Sequence, residues 1–458
     1  MTAGMEEARE YPLAPDVPMS LISRLRAPDM LHTGPVKMRD AGGPVVMVRF
    51  GPTRFAAPIA VVTSPQGAHD VVAGSDGAFD KEMTVDRELR KWFGDSLFSL
   101  PHEPWLDRRR TLAPLFTKKR VETYSRCMAD TARDLATVWL RAGTIDLARE
   151  TRRLTLRVLG RSLLGVDLGD RTEEIGPQLT RELNFVTKRS VRPVRAPAWH
   201  PTPARHRMHT AKKFTDELID EAIRAAREDP GRDAELIRLF FETADPETGE
   251  PFTDQVIHQE LGAFVVAGHD TTATTPAYCF WVLGHHIDVQ DRIAAEVGAL
   301  GDRPLHVRDV ERLPYAGQVL QEALRMCPPG PAIGRMAMRE VVVDGYRIPA
   351  GTNVLVGNYA VHHDPGLRDD PERFDPDRFA PDRSPVHTRW QYLPFGGGPR
   401  RCVGAHFAML EATSALASVL RAVRIESVES DFPLATPFTL VAAGPVPVRI
   451  RPRITAAA

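Results

Sequence analysis

Residues 395–411 read FGGGPRRCVGAHFAMLE, and the cysteine at their centre sets the chemistry they allow. Cys402 is one of 4 cysteines in 458 residues; the others are Cys127, Cys279 and Cys327, with no CxxC pair. That spacing argues against a disulfide framework or a zinc site and for a reducing, cytoplasmic setting. A thiolate is the reactive and metal-binding form of cysteine. The apolar spacing of VGAHFAMLEATSALASVL predicts a helix starting at or just beyond Cys402, whose dipole and free N–H groups favour the thiolate. Gly396, Gly397 and Gly398 let the backbone turn tightly and come close to a flat or bulky partner. Phe395 can shield one side, and Arg400 and Arg401 can grip an anion. A glycine-rich loop before a helix also suits phosphate, but the Lys-Ser/Thr ending of a phosphate loop is missing.

Other groups have spacings with chemical meaning. Glu322 and Arg325 lie three apart and share a helix face, where they can pair. Trp105 and Arg109, four apart, share another. Residues 267–272 read AGHDTT inside a helical pattern marked by Ile257, Leu261, Phe264, Val265 and Gly268. Gly268 and two threonines weaken that helix, which predicts a soft spot or local opening. Pro276 cannot donate to the carbonyl of residue 272, which predicts a kink just past the motif.

These groups need a large scaffold. A composition of 43% hydrophobic and 26% charged residues is that of a soluble globular chain, and a net charge of −1 argues against a dedicated nucleic-acid binder. No apolar run approaches a membrane span, and the acidic, proline-broken start excludes an ordinary secretory signal. Strand patterns mark about 44–65 (a hairpin around a Gly-Pro turn), 334–360 and 432–454; helical patterns fill about 105–330 and 402–422. The segment 186–214, rich in Pro, Arg, Lys and His, predicts an irregular basic connection of the kind that forms lids, with His200, His206 and His209 solvated.

The run Phe395-Gly-x-Gly398-x-Arg400-x-Cys402-x-Gly404 resembles the haem-binding signature of the cytochrome P450 family, in its soluble bacterial form. The Glu322-x-x-Arg325 pair, PERFDPDRF (371–379), AGHDTT, Trp105-x-x-x-Arg109 and MCPPGPAIGR (326–335) are similar to further family segments in the same order, so the resemblance covers nearly the whole chain. It implies one catalytic domain over 1–458 with the P450 fold, mainly α with small β-sheets and a smaller β-rich region. It also implies haem b as cofactor, with Cys402 as axial ligand and Phe395, Gly398 and Gly404 shaping the loop. Trp105, Arg109, Arg335 and Arg400 would hold propionates; Glu322, Arg325 and Arg378 would form a structural cluster; Asp270 and Thr271 would relay protons.

The implied reaction inserts one atom of O2 into a hydrophobic substrate, by hydroxylation or epoxidation. Its electrons would come from NAD(P)H through a ferredoxin and an NAD(P)H-dependent ferredoxin reductase. Arg108, Arg109, Arg110, Lys118, Lys119, Arg120 and Arg401 form a basic face for an acidic partner. The pocket candidates are Phe79, Leu97, Phe98, Phe264, Ala267, Gly268, Gly330, Ala332 and Ile333, which suit a fatty acid, terpenoid, steroid or polyketide. The basic 186–214 segment adds an anionic or carrier-protein-bound substrate to that range. A peroxide-using or isomerising haem-thiolate enzyme, and a non-catalytic haem sensor or carrier, are the alternatives; the Asp270-Thr271 pair counts against the first.

Overall fold

The computed structural model describes residues 10–20, 31–50, 57–190, 192, 195–197, 199–229, 231, 234–244, 249–301, 303, 305–383 and 389–453. Nine of its helices carry the argument. They are α1 (Thr84–Phe93), α2 (His102–Leu112), α3 (Ser125–Ala142), α4 (Leu147–Leu159), α5 (Thr172–Ser190), α6 (Pro203–Glu228), α7 (Asp254–Leu283), α8 (Pro314–Met326) and α9 (Ala405–Ala422). From Thr272 to Phe280 every residue of α7 is buried, as in a helix that runs through the middle of a fold with no solvent face. Accordingly α7 packs along α4 and also meets α6, α8 and α9, while α9 lies against α3. Trp139 of α3 is fully buried edge-on to Phe280 at 5.6 Å, and its indole N–H donates to Glu150 at 3.1 Å, so burial leaves no polar atom of the ring unpaired.

A five-stranded sheet is built from β1 (Val45–Val48), β2 (Ile59–Val62), β3 (Phe79–Asp80), β4 (Ile333–Ala337) and β5 (Asn353–Val356) in the order β1-β2-β5-β4-β3. β1 and β2 pair antiparallel with Val46 opposite Val61, as the hairpin pattern predicts; the Gly-Pro turn between them lies outside the described residues. The valine run of β1 is buried throughout, which suits a strand covered on both faces. A three-stranded sheet joins Thr144–Asp146, Pro447–Pro452 and Val423–Ser427. Its first strand sits between α3 and α4, where the helical pattern of the sequence hid it. The expectation of a mainly α chain with small sheets is met.

The 186–214 segment differs from its expected form. α5 continues to Ser190 and α6 begins at Pro203, so most of the segment is helical. Thr202 caps α6 by accepting the N–H of Arg205 at 3.2 Å, and Pro203 occupies the first turn, where its missing N–H costs nothing. Three of its cations are also committed: Arg205 donates to the carbonyls of His200 and Pro197, Lys212 pairs with Asp216, and Arg189 pairs with Glu88 of α1 at 2.8 Å. His209 packs its ring 5.5 Å from that of Trp92.

Candidate active site

The cysteine loop is closed by its own backbone. Gly396 donates to the Leu393 carbonyl at 3.0 Å, Arg401 to Gly398 at 3.2 Å, and Cys402 to Phe395 at 2.9 Å. Gly398 has φ +62°, and a Cβ there would lie 1.9 Å from the Val72 carbonyl oxygen, so both backbone angle and space demand glycine. Beyond the loop, Gly404 is the N-cap of α9 and offers no side chain, leaving the first N–H groups of the helix free. The Cys402 side chain is exposed, and its surroundings act on its charge in two directions. Burial within the protein field pushes the thiol up, against the Gly404 N–H and the guanidiniums of Arg109 and Arg401, which pull it down. The rise prevails. The Gly404 N–H at the helix start and the two guanidiniums act in favour of the thiolate, and a bound metal ion displaces such a proton.

Beside this loop lies a surplus of positive charge. Arg400 lays its guanidinium 4.3 Å over the Trp105 ring, donating to the Leu100 carbonyl at 3.0 Å and to Asp80 at 2.8 Å. Arg335, 7% exposed, donates to the Gly334 carbonyl at 2.7 Å. Lys81 donates to the Phe98 carbonyl and stands 4.3 Å from the centre of the Phe98 ring. Burial pulls Lys81 down to about 8 and Arg400 to about 10, and lowers Arg335; Arg335 and Arg400 add repulsion at Lys81, and Arg335 adds it at Arg400. Facing them are Asp80 and Asp86, and burial raises Asp86 despite the pull of Lys81. Three cations against two carboxylates, largely out of water, fit a partner that brings carboxylates of its own. Arg109 is half-buried close to Cys402, and burial lowers it. Lys81 is absent from the sequence reading, although it lies two residues after Phe79; a lone lysine after a short strand carries no visible sign of which way it points.

On α7, the Thr271 hydroxyl donates to the Ala267 carbonyl at 2.6 Å. Asp270 faces α4, with Arg152 Nε at 3.3 Å and His269 Nδ1 at 3.2 Å. Burial alone raises its carboxyl, but His269 and Arg152 together hold it below the usual range. No break in the helix accompanies the expected opening: α7 is continuous from Asp254 to Leu283, with Pro276 inside it. Neighbouring helices bury this segment and supply the packing that intrinsic propensity lacks.

Several pocket candidates also make contacts within the protein. The open side of Gly268 meets Leu159 of α4 at 3.1 Å, so this glycine admits a helix contact. Phe264 lies between Phe116 (4.9 Å) and Phe240 (6.1 Å). Leu97 is buried, with its N–H on Glu260 at 3.0 Å, and Phe79 packs on the five-stranded sheet. Phe98, Ala267, Gly330, Ala332 and Ile333 remain half-buried, with open space beside Gly330 and Ile333 3.6 Å from where a side chain on Gly396 would start.

Glu322 and Arg325 are fully buried and joined by two bonds of 2.7 and 2.9 Å. Arg378 stands 3.5 Å from Glu322 and gives its amino groups to the carbonyls of Asp369 and Asp370 at 2.7 Å. Two residues that the sequence reading missed carry this network to the cysteine loop. His362 Nδ1 meets the Arg325 carbonyl at 3.2 Å, while its Nε2 accepts the Leu393 N–H at 2.9 Å, which fixes the tautomer. Asn358 donates to both Gly330 and Leu393 carbonyls, at 3.1 and 3.2 Å. The run Val361-His-His-Asp364 was the available signal, but it has no distinctive spacing.

The basic face is smaller than its composition. Arg108 points inward to buried Glu260 at 2.7 Å, which burial raises to about 6. Lys118 pairs with Glu311, Arg120 with Glu235 and Arg110 with Asp107. Lys119 and Arg401 are exposed.

Similarity to known proteins agrees with this geometry. Residues 15–450 match the cytochrome P450 family. The chain is 30% identical over 415 residues to the cyclooctat-9-en-7-ol 5-monooxygenase of Streptomyces melanosporofaciens, covering 90% of this chain and 89% of that protein. It is 31% identical to cyclooctatin synthase of the same organism, over 90% of each chain, and 30% identical to the pentalenene oxygenase of Streptomyces avermitilis, over 86% of each. The haem domain of cytochrome P450DA superposes with a TM-score of 0.83 over 97% of this chain and 98% of that one, at 24% identity, which is agreement in fold. Among the described residues, no helix is long and apolar enough to cross a membrane. The chain belongs to the cytochrome P450 family: it is a haem-dependent monooxygenase supplied with electrons by redox partners.

Proposed function

We propose that the protein hydroxylates or epoxidises a neutral hydrophobic substrate, with haem b ligated by Cys402. One observation carries the cofactor assignment: the buried cations Lys81, Arg335 and Arg400 outnumber Asp80 and Asp86 beside the exposed thiol of Cys402. Arg109, Arg335, Arg400 and Lys81 would hold the propionates, and Trp105 keeps Arg400 flat by stacking beneath it. When bound, the haem supplies oxygen activation, and a thiolate ligand favours O–O cleavage by pushing electron density onto iron. The Gly404 N–H tempers that donation through its bond to the sulfur. Phe395 and Gly398 hold the loop in the one shape that lets Cys402 face the cofactor.

Thr271 keeps its hydroxyl proton on the Ala267 carbonyl, ready for exchange at the half-buried face of α7. Asp270, held charged between Arg152 and His269, takes protons from outside α7 and passes them to Thr271. Phe98, Ala267, Gly330, Ala332 and Ile333 would wall the substrate. Because Arg189, Arg205 and Lys212 are engaged with protein partners, the substrate is neutral and not a free or carrier-bound acid. Relatives named for pentalenene and for cyclooctat-9-en-7-ol, an unsaturated hydrocarbon and an unsaturated alcohol, support a terpenoid over a fatty acid. A ferredoxin and an NAD(P)H-dependent ferredoxin reductase, in the cytoplasm, would deliver electrons near Lys119 and Arg401.

The reduced protein is expected to give a thiolate-type Soret band in its carbon-monoxide difference spectrum, and Cys402→Ala to abolish it; a wild type without that band sinks the assignment. With surrogate ferredoxin and reductase, a terpene panel should yield product at the expense of NAD(P)H. Product made with peroxide alone would favour the peroxide-using alternative. A fatty acid should bind no better than its methyl ester at low or high salt.

A further inference from the structure

The relay reading leaves one buried group of α7 without a task. His269 is 1% exposed; its Nδ1 meets the Asp270 carboxylate at 3.2 Å, while its Nε2 has no hydrogen-bond partner among the described residues. A buried ring nitrogen so placed has lost its hydration without compensation, which native folds rarely tolerate. On the other side of the ring, a Cβ on Gly176 of α5 would lie 3.6 Å from Cε1 and 3.8 Å from Nε2, so the glycine leaves room beside that nitrogen. Gly176 is one helical turn from Thr172, and Thr172 lines a surface cleft with Arg149, Arg153, Gly169, Asp170 and Glu173. Arg152, between two of those arginines, approaches the same carboxylate oxygen at 3.3 Å from α4. Of the two groups holding Asp270, only the imidazole has one ring nitrogen that can accept a proton while the other donates one; a guanidinium has donors alone.

We propose that His269 is a relay residue that carries protons from the α4–α5 cleft to Asp270, an inference resting on the reading that Asp270 supplies Thr271. A hydronium arriving on the Gly176 side protonates Nε2 and leaves as water. The imidazolium then gives its Nδ1 proton to Asp270 Oδ1, and the electron pair of that N–H bond stays on nitrogen. The result is a neutral imidazole and a neutral carboxylic acid; nothing is oxidised or reduced. Once neutral, Asp270 is no longer held by the charge of Arg152 and can turn toward Thr271, the next residue. Moving the remaining proton from Nε2 to Nδ1 resets the ring.

The test uses the holoprotein as wild type, His269→Phe, His269→Asn, Gly176→Ala and Asp270→Asn, each first checked for an unchanged carbon-monoxide band. Turnover, product per NAD(P)H and the D2O effect on kcat are then measured. Loss of a positioned acid–base group costs about 10²-fold or more, so both His269 variants are expected to fall by about that factor with an enlarged D2O effect; Gly176→Ala, which fills the space beside Nε2, falls less. The ring ¹⁵N shifts of His269 in the wild type should show a proton on Nδ1. A slow Asp270→Asn together with His269 variants that turn over and couple like wild type overturns this inference and leaves the Asp270 reading standing. An Asp270→Asn enzyme with normal turnover overturns both. A ring protonated on Nε2 alone, with bare nitrogen toward Asp270, overturns the inference without any substitution, so a His269 variant that fails to fold does not protect it.

Discussion

Two regions of the molecule are tied by ion pairs of opposite character. Around α8, Glu322 and Arg325 are wholly out of water, and their bonds run on through His362 and Leu393 into the cysteine loop. Across α7, the group α1, α5 and α6 is held by pairs that are less completely enclosed: the Arg189–Glu88 side chains are 13% and 9% exposed, and those of His258, Asp216 and Asp220 more so. Glu88 takes Arg189 at 2.8 Å and the Trp92 indole N–H at 3.0 Å, and Trp92 packs edge-on to Phe185 at 5.1 Å. His258 of α7 bridges Asp216 and Asp220 of α6 at 2.9 and 2.7 Å, with Asp220 largely exposed. A dry network admits one geometry because every broken bond strands a buried group. Pairs at the water's edge can part locally while the rest stays folded. Under the proposed function, the cysteine loop must keep one shape, and α1, α5 and α6 would be the side that lets a substrate pass.

The strongest attempt to break this contrast is Arg325→Ala. It leaves a buried carboxylate unpaired, a loss of about 3–5 kcal/mol and so a large part of a typical stability margin. Expression should give little folded protein and no carbon-monoxide band; a variant with near wild-type Tm would refute the all-or-nothing account. His362→Leu comes next. It strands the Leu393 N–H and the Arg325 carbonyl, each at about 1–3 kcal/mol, and denaturant unfolding should show that loss together with faster haem release.

On the other side, Glu88→Gln should leave Tm nearly unchanged while hydrogen exchange in α1 and α5 quickens and substrate binds faster. The cost falls on local opening and not on global unfolding; a drop in Tm as large as that of His362→Leu would erase the comparison. The His258 bridge sharpens it through pH. Both ring nitrogens face carboxylates, and only the cation carries two N–H groups. The bond to Asp216, set against burial and joined by the bond to Asp220, raises the imidazole above its ordinary value. The bridge is therefore at full strength below about pH 6.5 and fades as pH climbs through the raised value. Exchange protection of α6 should fall over that range in the wild type and stay flat in His258→Asn. The smallest effect is expected at Lys118→Gln, where an exposed pair with Glu311 is lost and Tm should not move measurably.

These regions also differ in how far their residues could be read in advance. Cys402, Arg400, Glu322 and Arg325 sit in short runs whose spacing is itself the constraint, so order along the chain nearly equals order in space. The cover is assembled from residues such as Glu88 and Arg189, which are 101 positions apart and unremarkable in their local sequence. Apolar candidates are harder to place for a different reason. Phe264, Leu97 and Phe79 are of the right type for a pocket wall, but residue type does not say whether a ring faces a substrate or another ring. Charge is similarly hard to place at Arg108, whose inward partner Glu260 lies 152 residues away. The 186–214 segment, rich in Pro, Arg, Lys and His, reads as irregular, yet Pro203 begins a helix.

Gly398 sets an order of events in the making of this protein. Its backbone closes against the carbonyl of Val72, at the end of a helix from the first fifth of the chain, with no room for even one carbon between them. Arg400, two residues on, is anchored to Asp80 and Leu100. The segment that carries Cys402 emerges late from the ribosome, and it can take its shape only on a mould laid down by residues translated much earlier. A chain lacking either end would therefore lack one side of the contact that shapes the cysteine loop.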